Sequence, residues 1–91
     1  MAVFAVLPMR RSQALDAEIQ RAFPDDNSLQ LPHGDWLISY SGTAIKLSEE
    51  LGITDGKSGT AIIFQISSYY GRAPTNIWDW IKAKLEARAN A

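Results

Sequence analysis

Apolar residues along this chain fall into short blocks, and the period inside each block changes from one to the next. Ala2 to Leu7 is an unbroken apolar run stopped by Pro8, which predicts a strand covered on both faces. After Ser12 the period lengthens. Leu15, Ile19, Ala22 and Phe23 share one helical face, while Asp16, Glu18, Gln20 and Arg21 lie toward the other. Ser12 is a suitable cap, and Pro24 stops the helix. Pro24-Asp25-Asp26-Asn27 reads as a turn, and Leu29 to Leu31 as a short strand. Pro32-His33-Gly34-Asp35 reads as a second turn, returning the chain through a strand from Trp36 to Tyr40. Ser41-Gly42-Thr43 opens a second helix with Ala44, Leu47 and Leu51 inward and Gly52 as its left-handed end. A polar loop from Thr54 to Gly59 leads into another apolar strand, from Thr60 to about Ser67, also expected to be buried. The last helix is predicted from Pro74-Thr75, with Thr75 as its cap. Ile77, Trp78, Trp80, Ile81 and Leu85 share one broad arc. Lys84 and Arg88 fall near the middle of that arc, where their stems can cover apolar surface.

The predicted order is strand, helix, strand, strand, helix, strand, helix. The first six elements match a split β-α-β arrangement, the ferredoxin-like plan (βαββαβ). The expected fold class is therefore α+β: a four-stranded antiparallel sheet, two helices on one face, and an added C-terminal helix. The tryptophan-bearing helix is the obvious cover for the other face, and a second subunit is the alternative. Without a hairpin turn at Pro32–Asp35, the plan becomes a three-stranded α/β sheet.

Composition narrows the picture. Ninety-one residues make a single domain, 1–91. The chain has no cysteine, which excludes disulfides and thiolate metal sites, so stability rests on packing. Three tryptophans, three tyrosines and three phenylalanines supply much of that packing. Nine basic residues against ten acidic ones argue against a strongly nucleic-acid-seeking surface. The apolar N-terminal run is too short to span a bilayer. Arg10 and Arg11 follow it rather than precede it, the wrong order for a secretory signal. These features predict a cytoplasmic protein with no membrane association.

Candidate chemistry is sparse. Ser67, Ser68, Tyr69, Tyr70 and Arg72 gather at a strand end before a helix start, where Arg72 can hold a carboxylate or phosphate in bidentate fashion. Ser41 and Thr43 open a helix after a strand, offering free N–H groups to an anion, but without the lysine and glycines of a phosphate-binding loop. Trp80, at the edge of its arc, is either core or a partner anchor. His33, the one histidine, has Asp35 two residues away; a solvated turn explains both. Asp25 and Asp26 with Asp35 or Asp55 lack a recognisable ligand spacing. Ser-Gly-Thr-Ala-Ile occurs at Ser41 and again at Ser58, once opening a helix and once a strand, and the similarity extends no further.

No catalytic residues, metal or cofactor are predicted. The expected function is a small non-catalytic binding or regulatory module, self-associating as a homodimer or docking a protein partner through Tyr69, Tyr70, Arg72 or Trp80. Nucleic-acid binding or RNA cleavage, with Arg10, Arg11, Arg72 and the tyrosines on phosphates and bases, is the alternative. A small enzyme using His33 ranks last.

Overall fold

A computed structural model describes residues 2–89, with side chains described through Leu85. The elements run β1 (Ala2–Pro8), α1 (Gln13–Ala22), β2 (Ser28–Gln30), β3 (Trp36–Tyr40), α2 (Ala44–Glu50), β4 (Ala61–Gln65) and α3 (Thr75–Ala89). The fold is α+β: three helices and one four-stranded antiparallel sheet in the order β2-β3-β1-β4.

Local chemistry explains the element ends. The Leu15 N–H donates to Ser12 Oγ at 3.2 Å, so Ser12 caps α1 as its residue type suggests. Ser12 Oγ also donates to the Ser58 carbonyl at 2.6 Å, pinning the polar loop onto the start of α1. Gly34, at φ +99°, makes the turn between β2 and β3, where the Leu31 N–H donates to the Asp35 carbonyl at 2.7 Å. This hairpin overturns the three-stranded alternative, because β2 pairs with β3 from Ser28↔Ile38 to Gln30↔Trp36. Thr75, expected to precede the last helix as its cap, is the helix's first residue; the turn closes from the Ile77 N–H to the Pro74 carbonyl at 3.0 Å.

Alternation along the strands sorts the core into two layers. Phe4, Val6, Trp36 and Ile38 point to one face and pack with Leu15, Ile19 and Phe23 of the α1 segment and Leu47 and Leu51 of the α2 segment. Leu37 points to the opposite face and packs with Ile77 and Ile81 of α3, flanked by Ala5, Leu29, Trp78 and Trp80. The sheet is thus sandwiched, with α1 and α2 on one side and α3 on the other. The side chain of Arg88, expected over the α3 arc, lies outside the described residues.

One expectation fails. The last strand was expected to be buried on both faces, but β4 is an edge strand and Ile62 and Phe64 are about half exposed, at 47% and 53%. Both residues point to the α3 side, opposite Leu7 and Ala5 of β1. The helix seals Leu37 and Leu29 but leaves the β4 margin of that face bare. An apolar run in sequence does not distinguish a covered central strand from an uncovered edge.

Candidate functional site

The predicted site residues separate into those doing structural tasks and those facing solvent. Thr43 Oγ1 accepts from the Lys46 N–H at 3.2 Å and so caps α2, a helix of seven residues. Ser41 is exposed just before it. Trp80 is half buried in the α3 layer, and its Nε1–H donates to the Asp26 carbonyl at 2.7 Å. Lys84 lies 5.8 Å from the Trp80 ring centroid and 3.2 Å from an Asp26 carboxylate oxygen. Trp80 and Lys84 therefore latch α3 to the turn between α1 and β2. Asp26 serves this latch, and no group of three or more His, Asp or Glu suited to a metal ion occurs among the described residues.

The segment from Ser67 to Arg72 is exposed throughout. Tyr69 stacks on Trp78 with ring centroids 5.8 Å apart and planes at 24°. Tyr70 is fully exposed. The structure brings Arg72 beside the hairpin turn, a juxtaposition the linear spacing does not reveal. Arg72, His33 and Asp35 rim a shallow hollow of about 300 Å³ floored by Leu31, Ala73, Pro74 and Ile77. On its other side His33 lines a cleft of about 50 Å³ with Arg11, Asp16 and Asp35. That cleft holds little more than water, whereas organic ligands occupy several hundred Å³. The arginines here alternate with carboxylates, so they do not form a continuous basic stripe.

Two features escaped the sequence. Tyr40 joins Phe4 and Phe23 in an aromatic cluster, with centroids 6.1 and 5.7 Å away, and its OH donates to Glu50 Oε1 at 2.9 Å. That hydrogen bond, aided by burial and by the charges of Glu50 and Glu49, holds the Tyr40 phenol above its ordinary range. The second feature is an apolar strip on the α3 side of the sheet, built from Met9, Ile62 and Phe64, which are 55%, 47% and 53% exposed. Strand register makes them neighbours: Leu7 faces Ile62, Ala5 faces Phe64, and Met9 continues β1 one step past Pro8, bonded to Thr60. Around the free edge of β4, Ile45 of α2 is 72% exposed and shares a groove with Ala61 and Ile63. From Ser58 to Gly71 the sequence carries no charge.

The sequence matches no protein-family model and no curated protein. No helix among the described residues is long and apolar enough to cross a membrane.

Proposed function

We propose that this protein is a non-catalytic binding module that docks a protein partner on the strip of Met9, Ile62 and Phe64 and the adjoining free edge of β4. The observation that carries the reading is the difference between the two edges of the sheet. Strand edges offer unpaired N–H and C=O groups, and natural proteins blunt them with short strands, charge and proline. The β2 edge has all three: it is three residues long and lies between Pro24-Asp25-Asp26 and Pro32. β4 has neither charge nor proline; its Ile62 and Phe64 lie bare on the α3 side, and on the other side the exposed Ile45 of α2 flanks its partly buried Ala61 and Ile63. Such a surface suits an extended protein segment, with backbone hydrogen bonds for affinity and apolar side chains for selection.

The catalytic alternative finds less support. His33 lies exposed in a turn between a cleft of about 50 Å³ and an open, shallow hollow of about 300 Å³. For the fold, we infer the ferredoxin-like plan. Supporting it, β1 and β2 run in the same direction with β3 between them, and β3 and β4 do so with β1 between them.

The test is the fluorescence of anilinonaphthalene sulfonate with submicromolar protein. Wild type is expected to enhance the dye. Phe64→Lys and Ile62→Thr are expected to remove most of that enhancement with unchanged far-ultraviolet circular dichroism. A dye-silent wild type, or variants that bind dye equally well, would withdraw the reading.

A further inference from the structure

The direction of each backbone group on β4 can be read from two hydrogen bonds. The Met9 N–H donates to the Thr60 carbonyl at 2.9 Å, and the Ile66 N–H donates to the Val3 carbonyl at 2.8 Å. In an antiparallel ladder alternate residues bond to the same neighbour, so Thr60, Ile62, Phe64 and Ile66 turn their N–H and C=O groups toward β1. Pro8, opposite Ala61, has no N–H to give, which agrees with this parity. Ala61, Ile63 and Gln65 therefore aim their backbone groups outward, along the free edge.

Building on the docking reading above, we infer that the occupant of this edge is a second copy of the chain, paired antiparallel through β4 about a two-fold axis at Ile63. Only this register pairs all three outward residues with one another: Ile63 with its counterpart, and Ala61 with Gln65 in both directions. It forms six backbone hydrogen bonds and joins the two sheets into one of eight strands. The same operation places Ile62 of each copy opposite Phe64 of the other on the α3 side. That site is non-hydrogen-bonded, where side chains approach closest and a β-branched residue against an aromatic is favourable. Both α2 helices fall on the opposite side, bringing the two exposed Ile45 side chains toward the seam. With no charge between Ser58 and Gly71, self-pairing sets no like charges against each other.

The area fits a modest dimer. Ile45, Ile62 and Phe64 offer on the order of 300 Å² per copy. With the strand edges the pair buries roughly 1,000 Å², the small end of specific interfaces. A reversible dimer of roughly micromolar or weaker affinity follows.

The chain has no cysteine, so single-cysteine variants report proximity cleanly. Directly opposed residues in a hydrogen-bonded pair have Cα atoms about 5.5 Å apart, inside the disulfide window. Under mild oxidation Ile63→Cys is expected to form a covalent dimer. Gln65→Cys alone is expected to stay monomeric, its counterpart lying about 13 Å away along the partner strand. A mixture of Ala61→Cys and Gln65→Cys is expected to cross-link, which covers the case that Ile63→Cys folds poorly. Light scattering on wild type should show mass doubling with concentration while dye enhancement per chain falls. Phe64→Lys should weaken association at least tenfold.

A monomer that binds dye at every concentration would overturn the second copy as occupant and leave the docking strip standing. A dye-silent monomer would overturn both. A dimer unaffected by Phe64→Lys and not cross-linked at position 63 would place association on another face and overturn the inference.

Discussion

Trp80 separates a structural tryptophan from an interface tryptophan, and replacing it with phenylalanine measures the difference. The substitution keeps an aromatic ring under Lys84 but removes the Nε1–H that reaches the Asp26 carbonyl at 2.7 Å. A neutral hydrogen bond contributes about 0.5–1.5 kcal/mol net, and the exposed Asp26 carbonyl can turn to water once freed. The ion pair from Lys84 to Asp26 adds little, because the Asp26 side chain is 79% exposed. Trp80→Phe should therefore cost about 1 kcal/mol, or roughly 4–8 °C in Tm for a domain of this size. Trp80→Ala strips half-buried ring area as well and should cost about 2–3 kcal/mol, less than a fully buried tryptophan. Urea unfolding followed by circular dichroism, at a concentration too low for self-association, gives both values. A double-mutant cycle with Lys84→Met should show coupling of about 0.5 kcal/mol, since both side chains converge on Asp26. Light-scattering curves should overlay wild type. Trp80→Phe within about 0.3 kcal/mol of wild type, or a Trp80 variant that shifts the mass curve, would refute the latch.

Tyr40 and Gly42 supply two further tests. The Tyr40 phenol, raised chiefly by its bond to Glu50, should ionise above the ordinary tyrosine value of about 10. Because the folded-state value is the higher one, its stabilisation is present below about pH 10 and is lost as pH rises through the raised value. Ultraviolet titration should show the late phenol, and Glu50→Gln should move it back toward the ordinary range. Gly42→Ala would place its Cβ 2.5 Å from Tyr40 Cε2, a ring held by Phe4, Phe23 and Glu50. The expected cost is about 1–3 kcal/mol by thermal unfolding. An alanine variant as stable as wild type would show that the ring is free to move.

Much of the architecture was written in local pattern. The Ser12 cap, the Gly34 turn and the period of Leu15, Ile19 and Phe23 are consequences of neighbouring residues, and each appears where it was expected. The unbroken apolar run of β1 likewise pointed to cover on both faces of the sheet. What pattern could not supply was the sheet's boundary. β1 and β4 are similar apolar runs, yet one is central and the other an edge, because that depends on which strands arrive beside them from far along the chain. The site followed the same division. Trp80 was a candidate as an aromatic at the edge of its arc and Thr43 as part of a helix start with free N–H groups, and both engage partners within the fold. Ile62 and Phe64 looked like core, and only the path of α3 leaves them bare. That Arg72 and His33 line one hollow had no local signature at all.

The central position of β1 also shapes how the chain must assemble. The first strand made has neighbours that come later: Ala2 faces Tyr40, and Phe4 faces Gln65. Only the β2–β3 hairpin closes over a short loop. At about 5–20 residues per second, β1 waits roughly 3–12 s between its own synthesis and that of β4. During that interval Val3, Phe4 and Val6, which end fully buried, gain cover only piecemeal, as α1, the hairpin and α2 emerge in turn. Closure over such long separations slows folding relative to helical chains of the same size. Newly made copies crowded on one messenger would thus expose the same apolar strand side by side before either is complete.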